Sequence, residues 1–102
     1  MQQKIVQFAR DRDWLKFHTF RNLAESVSIE AAELLELFQF DRKPKEKDIK
    51  EEVADVLIYC YQICTLHGWH VDEVIGEKLK INGEKYPIEK CKGSNKKYSE
   101  LD

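Results

Sequence analysis

Residues 26–40, SVSIEAAELLELFQF, decide the fold, because their apolar side chains recur at the spacing of one side of an α-helix. An α-helix turns by ~100° per residue, so each side chain can be placed around the axis by counting. Counted from the valine of this stretch, Leu37 falls at ~280° and Leu34 at ~340°. Glu30 falls between them at ~300°, and Glu33 falls beside them at ~240°. Two carboxylates therefore lie on an arc that otherwise favours burial.

The other residues of the stretch define the edges of this arc. Phe40 falls at ~220° and Ile29 at ~200°, on the far side of Glu33. Glu36 falls on the opposite arc among small and polar residues, so we expect it to face water. A solvated helix face explains Glu36 but does not explain Glu30 and Glu33.

The composition of the chain limits what it can be. Its 102 residues suit a single domain near the small end for a self-sufficient core. A net charge of −2 gives no electrostatic basis for binding a nucleic-acid polymer. No apolar run approaches the ~18 residues that span a membrane, and the polar start MQQKIVQFARDRD does not resemble a signal peptide. An odd number of cysteines, three, favours a reducing cytoplasm over a disulfide framework.

Periodicity predicts four helical segments, over residues 2–13, 21–40, 48–67 and 72–85. Only four glycines and two prolines are present, so we expect long helices joined by short connections. The sequence therefore predicts an all-α, four-helix-type fold. It divides into a helical domain over residues 1–87 and a polar C-terminal tail over residues 88–102.

The helix ends carry their own signals. Asp48 and Glu51 are spaced as a capping box at the start of the third helix, and Gly68 is placed to end it. Asp72 is a candidate N-cap for the fourth helix, and Pro87 blocks its continuation.

The third helix repeats the pattern of the second. Counted from its first isoleucine, Glu52 falls at ~300° and Asp55 at ~240°, with Tyr59 between them at ~280°. The rest of this helix is apolar almost all round, so it should be the most buried one. A short connection favours antiparallel packing of the second and third helices, which lets the two acidic pairs face each other.

Four facing carboxylates in a low-dielectric groove repel one another and require a cation. Ligation by oxygen alone indicates a hard ion, Mg²⁺ or Mn²⁺. Because Mg²⁺ usually fills its other positions with waters and phosphate oxygens, the expected substrate is a phosphate ester or anhydride. The alternative is a helical bundle whose surface glutamates pair with lysines, acting as a non-enzymatic oligomeric interaction module with a structural acidic cluster.

The order of the acidic pairs also resembles a known family. EAAE at residues 30–33 and EVAD at residues 52–55 look like the ExxE and ExxD signature of MazG-like all-α nucleotide pyrophosphohydrolases. The contexts RDWLKFHTFRNLAESVSIEAAELLELFQF and KLKINGEKYP are similar to the dCTP pyrophosphatase branch. The resemblance implies Mg²⁺-dependent cleavage of a nucleoside triphosphate, dCTP or a modified dCTP foremost, to the monophosphate and pyrophosphate. It also implies a homo-oligomer, a dimer or a tetramer built from two dimers, and a role in removing surplus or modified deoxynucleotides.

The resemblance assigns roles to individual residues. The metal ligands and catalytic carboxylates would be Glu30, Glu33, Glu52 and Asp55. The base-side and phosphate-side substrate contacts would be Trp14, Phe17, His18, Asn22, Phe40, Tyr59, Lys78, Asn82, Lys85 and Tyr86. The alternative for the aromatic residues is a place in the core, and for the lysines a solvated helix face. Phe40 stands where the branch usually has tryptophan, which affects the expected base preference more than the reaction.

The sequence weighs against two other kinds of metal site, a zinc site and a di-iron site. Cys60, Cys64, His67 and His70 suggest zinc, but there is no CxxC, and the cysteines fall on the apolar side of the third helix. A di-iron bundle would need Glu-x-x-His motifs, which the sequence lacks.

The sequence also indicates an oligomer. Because one short chain cannot cover a third helix that is apolar all round, we expect a second copy to do so.

Overall fold

The computed structural model describes residues 1–101, and within that range it contains helices but no β-strand. The α-helices are α1 (Gln2–Asp11), α2 (Phe20–Glu36), α3 (Glu46–Leu66), α4 (Val71–Lys85) and α5 (Ile88–Cys91). Short 3₁₀ turns span Leu15–Phe17, Gln39–Asp41 and Tyr98–Glu100. The prediction of an all-α fold is confirmed. The chain forms two compact units, Met1–Trp69 and a second unit that begins at His70.

In the first unit, α2 and α3 form an antiparallel hairpin, and α1 packs on α3. The Phe20 ring at the start of α2 stacks on His67 at the end of α3, with 3.7 Å between ring centroids. Glu33, near the other end of α2, comes together with Glu52, near the start of α3. The predicted antiparallel pairing therefore places the acidic faces of both helices against each other.

The N-terminal ends of α2 and α3 are built differently. The Thr19 hydroxyl accepts the Asn22 backbone N–H at 3.1 Å and caps α2. Lys45 occupies the N-cap of α3, where the described chain shows no side-chain capping bond. The predicted capping box at Asp48 and Glu51 is wrong, because α3 begins two residues earlier and Asp48 already lies in its first turn.

The end of α2 departs from the prediction. The helix stops at Glu36, and Phe40 and Asp41 adopt left-handed backbone angles, with φ of 56° and 58°. Phe40 therefore leaves the helix, and its side chain is 84% exposed. The predicted place of Phe40 on the acidic arc of α2 is wrong, because the helix ends at Glu36 and Phe40 itself has left-handed angles.

The second unit largely follows the predicted boundaries. Gly68, which still belongs to the first unit, follows α3 with φ of +74°. In the second unit, α4 ends at Lys85 as predicted. The predicted cap at Asp72 is wrong, because His70 is the N-cap and Asp72 lies in the first helical turn. The predicted tail contains the short helix α5, which Pro87 begins, and its last residue lies outside the described residues.

The chain buries little apolar surface. Among residues 1–101 the buried apolar side chains are Ala9, Leu23 and Val71. Leu35 and Leu57, on the two helices of the hairpin, are 72% and 50% exposed. Within the same range, no helix combines the length and the apolar character that crossing a bilayer requires.

Candidate active site

Three carboxylates from α2 and α3 form the centre of the site. Glu30 and Glu33 lie one helical turn apart on α2, and Glu52 reaches them from α3. One oxygen of each side chain lies within 4.8 Å of the others. Glu30 and Glu52 are half-buried, whereas Glu33 is exposed, so the cluster opens to solvent on one side.

The acidic side chains of the cluster repel one another. Hydrogen bonding to Glu33, followed by burial and by the neighbouring acidic charges, raises the pKa of Glu30 from 4.5 to about 7. Burial, followed by the charges of Glu33 and Asp55, raises the pKa of Glu52. In the described chain, one buried oxygen of Glu30 and one of Glu52 have no hydrogen-bond partner. Such oxygens are costly unless a ligand completes them.

Asp55, the fourth predicted ligand, borders the cluster. It is half-buried on α3, one turn after Glu52, and lies outside the set of three converging oxygens. Its charge nevertheless contributes to the raised pKa of both Glu30 and Glu52. The structure thus brings together three of the four predicted carboxylates and places the fourth beside them.

A cavity of about 360 Å³, the aromatic pocket, lies in the same unit. Its walls are formed by Trp14, Phe17, His18, Asn22, Leu23, Ser26 and Tyr59. Trp14, Phe17, His18, Asn22 and Tyr59 were all predicted as substrate contacts, and the structure brings them to one place. Asn22 Nδ2 donates to the Phe17 carbonyl at 2.9 Å and ties the turn before α2 to the helix. Burial lowers the pKa of His18, which favours the neutral imidazole.

The other predicted substrate residues do not belong to the lining of the aromatic pocket. Phe40 is outside the aromatic pocket, on the exposed 3₁₀ turn after α2. Lys78, Asn82 and Lys85 follow one another at helical spacing on α4, in the second unit. Tyr86 comes directly after α4, where its hydroxyl oxygen accepts a hydrogen bond from the Tyr98 backbone N–H at 3.3 Å.

A second cavity of about 670 Å³, the basic groove, lies against the carboxylates and was not predicted. It is lined by Glu33, Glu36, Leu37, Arg42, Lys43, Pro44, Lys45, Asp48 and Glu52. Glu36, expected to be an ordinary water-facing residue, is exposed but contributes to this wall. The signal that could have found the groove is the basic run RKPK in the connection between the two acidic helices.

Within residues 1–101, the carboxylates are the one group of three or more side chains arranged to hold a metal ion. The zinc alternative therefore has no support in this part of the chain. The His67 ring is instead stacked between Phe20 and Trp69, at centroid distances of 3.7 and 4.3 Å. Burial raises the pKa of the Cys60 thiol, as expected for a cysteine on an apolar face.

Three comparisons with known proteins give results that agree with one another. The model of the MazG-like family matches residues 26–101. The dCTP pyrophosphatase 1 proteins of Rattus norvegicus and Homo sapiens are each 34% identical over 106 aligned residues, covering 94% of this chain. The chain spans 62% of the length of these relatives. The solved structure of a pyrophosphatase from Archaeoglobus fulgidus is 39% identical, with a TM-score of 0.76 over 83% of this chain and 87% of that one.

Proposed function

Because the chain belongs to the MazG-like family, we propose that it is a nucleoside triphosphate pyrophosphohydrolase that converts deoxynucleoside triphosphates to monophosphates and pyrophosphate. The observation that carries the proposal is the converging set of Glu30, Glu33 and Glu52 beside a pocket lined with aromatic rings. The names of the similar proteins, dCTP pyrophosphatase 1 and a pyrophosphatase, agree with it.

The carboxylate cluster fits a divalent cation. Its donors are all oxygen, and the buried oxygens of Glu30 and Glu52 lack a hydrogen-bond partner among the described residues. We propose Mg²⁺, with Mn²⁺ as a substitute, held by these two residues together with Glu33 and Asp55. Bound there, Mg²⁺ polarises the phosphoryl group and lowers the pKa of a coordinated water.

The aromatic pocket is proposed to bind the base. Trp14 and Phe17 provide ring faces, and stacking on such faces contributes roughly 1–3 kcal/mol per base. Stacking alone discriminates poorly, so His18 and Asn22 supply the polar contacts that distinguish one base edge from another. We propose that dCTP or a 5-modified dCTP is favoured, following the relatives that the chain resembles.

The chemical step needs two further contributions from the chain. A carboxylate of the cluster accepts the proton of the water that attacks the α-phosphorus. Lys78, Asn82, Lys85 and Tyr86 are proposed to contact the phosphates, and Lys78 and Lys85 bring positive charge to them. The catalytic domain is proposed to end at residue 87, with residues 88–102 as a tail.

We propose that the working form is a homo-oligomer, a dimer or a dimer of dimers. The support is the exposed apolar surface of the hairpin, including Ile29 and Leu35 on α2 and Val53 and Leu57 on α3. We propose that Phe40, which is exposed in one chain, contacts a nucleotide held by a neighbouring subunit. Light scattering at micromolar concentration tests this, because a species of 12.1 kDa would contradict it.

The proposed role is removal of surplus or modified deoxynucleotides in the cytoplasm, a compartment that suits three free cysteines. The test of the function is pyrophosphate release from dCTP, measured with Mg²⁺ and with a chelator. We expect release that depends on the metal and is lost in Glu33→Gln. A protein that binds no nucleotide and releases no pyrophosphate from any of the four dNTPs would instead be an interaction module.

A further inference from the structure

Three cations of the basic groove remain without an acidic partner. Arg42, Lys43 and Lys45 line the groove, and none of them forms an ion pair within residues 1–101. Two lysines that follow in α3, two and five residues after Lys45, behave differently. Lys47 pairs with Glu51 at 3.9 Å, and Lys50 pairs with Glu46 at 3.2 Å. Along residues 42–50, the cations without an ion pair are those that line the groove.

The unpaired cations share the groove with Glu33 and Glu52. The other acidic residues of the lining are Glu36 and Asp48, and within residues 1–101 the lining forms no ion pair between its acidic and basic side chains. Unpaired cations beside a cluster that fits a metal ion offer a site for an anion that binds both.

The register of the hairpin arranges the site in a line. On α2, Ser26 lines the aromatic pocket, and Glu30 and Glu33 form the cluster. Leu37, the C-cap residue of α2, follows in the groove. Each step is three or four residues, so these positions share one face, and Ser26 to Leu37 spans ~16 Å of helix axis.

The facing positions on α3 run in the opposite direction. Tyr59 lines the aromatic pocket, Asp55 and Glu52 belong to the acidic centre, and Asp48 lines the groove. A nucleoside triphosphate has the same order along its length: base, α-phosphate, then β- and γ-phosphates.

We infer that Arg42, Lys43 and Lys45 form the subsite for the β- and γ-phosphates, and hence for the pyrophosphate that leaves. This inference rests on the proposed function. In the reaction the water oxygen forms a bond to the α-phosphorus, and the bond from that phosphorus to the bridging oxygen breaks. Pyrophosphate leaves with the electron pair, and the proton goes to a carboxylate of the cluster. The three cations bind the negative charge that the leaving group carries.

The test replaces the three cations together, as Arg42→Gln, Lys43→Gln and Lys45→Gln. The matched control is Lys47→Gln with Lys50→Gln, which removes nearby cations that pair along α3. In the Mg²⁺-loaded enzyme we measure KM and kcat for dCTP and product inhibition by pyrophosphate and by dCMP. We expect the inhibition constant for pyrophosphate to rise by about tenfold or more in the triple variant and by less than about twofold in the control.

The inhibition constant for dCMP separates this role from a general loss of structure. It should change by less than about twofold, because dCMP has no β- or γ-phosphate. An unchanged pyrophosphate constant in an active enzyme overturns the inference and leaves the proposed function intact. A wild-type protein that cleaves no dNTP overturns both. If the triple variant shows no cooperative melting transition, the three single variants are measured in its place.

Discussion

The basic groove is lined by Glu33 and Glu52, whereas the aromatic pocket begins one helical turn from the cluster, at Ser26. The two cavities are built in different ways. The pocket is held by packing and hydrogen bonds, since Leu23 in its wall is 2% exposed and Asn22 is bonded to the Phe17 carbonyl. The groove is lined by a connection whose cations are exposed. One end therefore suits recognition by contact and the other recognition by charge. Substitutions and salt should act on them differently.

The largest effect should come from the carboxylate cluster, which lies between the two regions along α2 and α3. Replacing Glu52 with Gln removes a converging oxygen charge, and we expect kcat for dCTP to fall by at least ~10²-fold. Because the change also relieves repulsion from Glu33, the melting temperature of the metal-free protein should stay the same or rise. Steady-state kinetics and thermal melting measure the two outcomes.

Glu51 provides the control, because it is the next residue and pairs with Lys47 on the surface of α3. Glu51→Gln should keep nearly full activity. Equal losses in the two variants would show that the helix face does not separate functional from solvated carboxylates.

Substitution of the aromatic pocket should have the next largest effect. Trp14→Ala removes a ring face, and we expect KM for dCTP to rise by about tenfold or more, since stacking contributes roughly 1–3 kcal/mol. Trp69 is a matched control, because it is also 47% exposed but stacks on His67, outside the pocket. If Trp69→Ala raises KM as much as Trp14→Ala, the pocket has no special part in binding the base.

The carboxylate centre could be predicted from the sequence because it depends mainly on the spacing of residues within each helix. The i, i+3 spacing of Glu30 and Glu33 is preserved wherever the helix forms, and a hairpin then brings Glu52 to them. Asp55 shares that spacing but lies outside the converging set, because spacing specifies a face and not the direction of each carboxylate oxygen. The pocket residues were recognised through the family resemblance and not through periodicity.

The groove could not be predicted in the same way. Its position depends on α2 ending at Glu36, where the sequence predicted helix as far as Phe40. The left-handed angles at Phe40 and Asp41 occur without glycine, so no residue type announced the reversal. Only after that reversal does the basic run from Arg42 come to line a cavity with Glu52.

A smaller effect should come from salt, which should act on binding in the basic groove and not on binding in the aromatic pocket. Exposed charges are screened at high ionic strength, whereas ring stacking is not, so raising salt should weaken pyrophosphate inhibition by a few-fold, roughly. The groove triple variant should lose the part of this dependence that its three cations contribute and keep the part due to Lys78 and Lys85, and Trp14→Ala should retain all of it. Inhibition constants measured at low and high ionic strength decide the point. A salt dependence that is unchanged in the triple variant would assign the screened charges to another part of the chain.

The smallest effect should be a shift of stability with pH in the metal-free protein. The pKa of Glu30 is raised from 4.5 to about 7, so the folded state holds this proton more tightly than the unfolded state. The stabilisation is complete below the unfolded value and is lost as pH rises through the folded value. The melting temperature should therefore fall by a few degrees, roughly, between about pH 5 and about pH 8.

Glu30→Gln and Mg²⁺ both test this assignment. The substitution should reduce the fall, because the side chain no longer titrates. Mg²⁺ binds deprotonated carboxylates, so the gain in melting temperature that it gives should increase over the same pH range. The groove triple variant should keep the fall of the wild type, because Glu30 responds to Glu33, Glu52 and Asp55. A fall that disappears with the groove cations would mean that the groove, and not the acidic cluster, controls this titration.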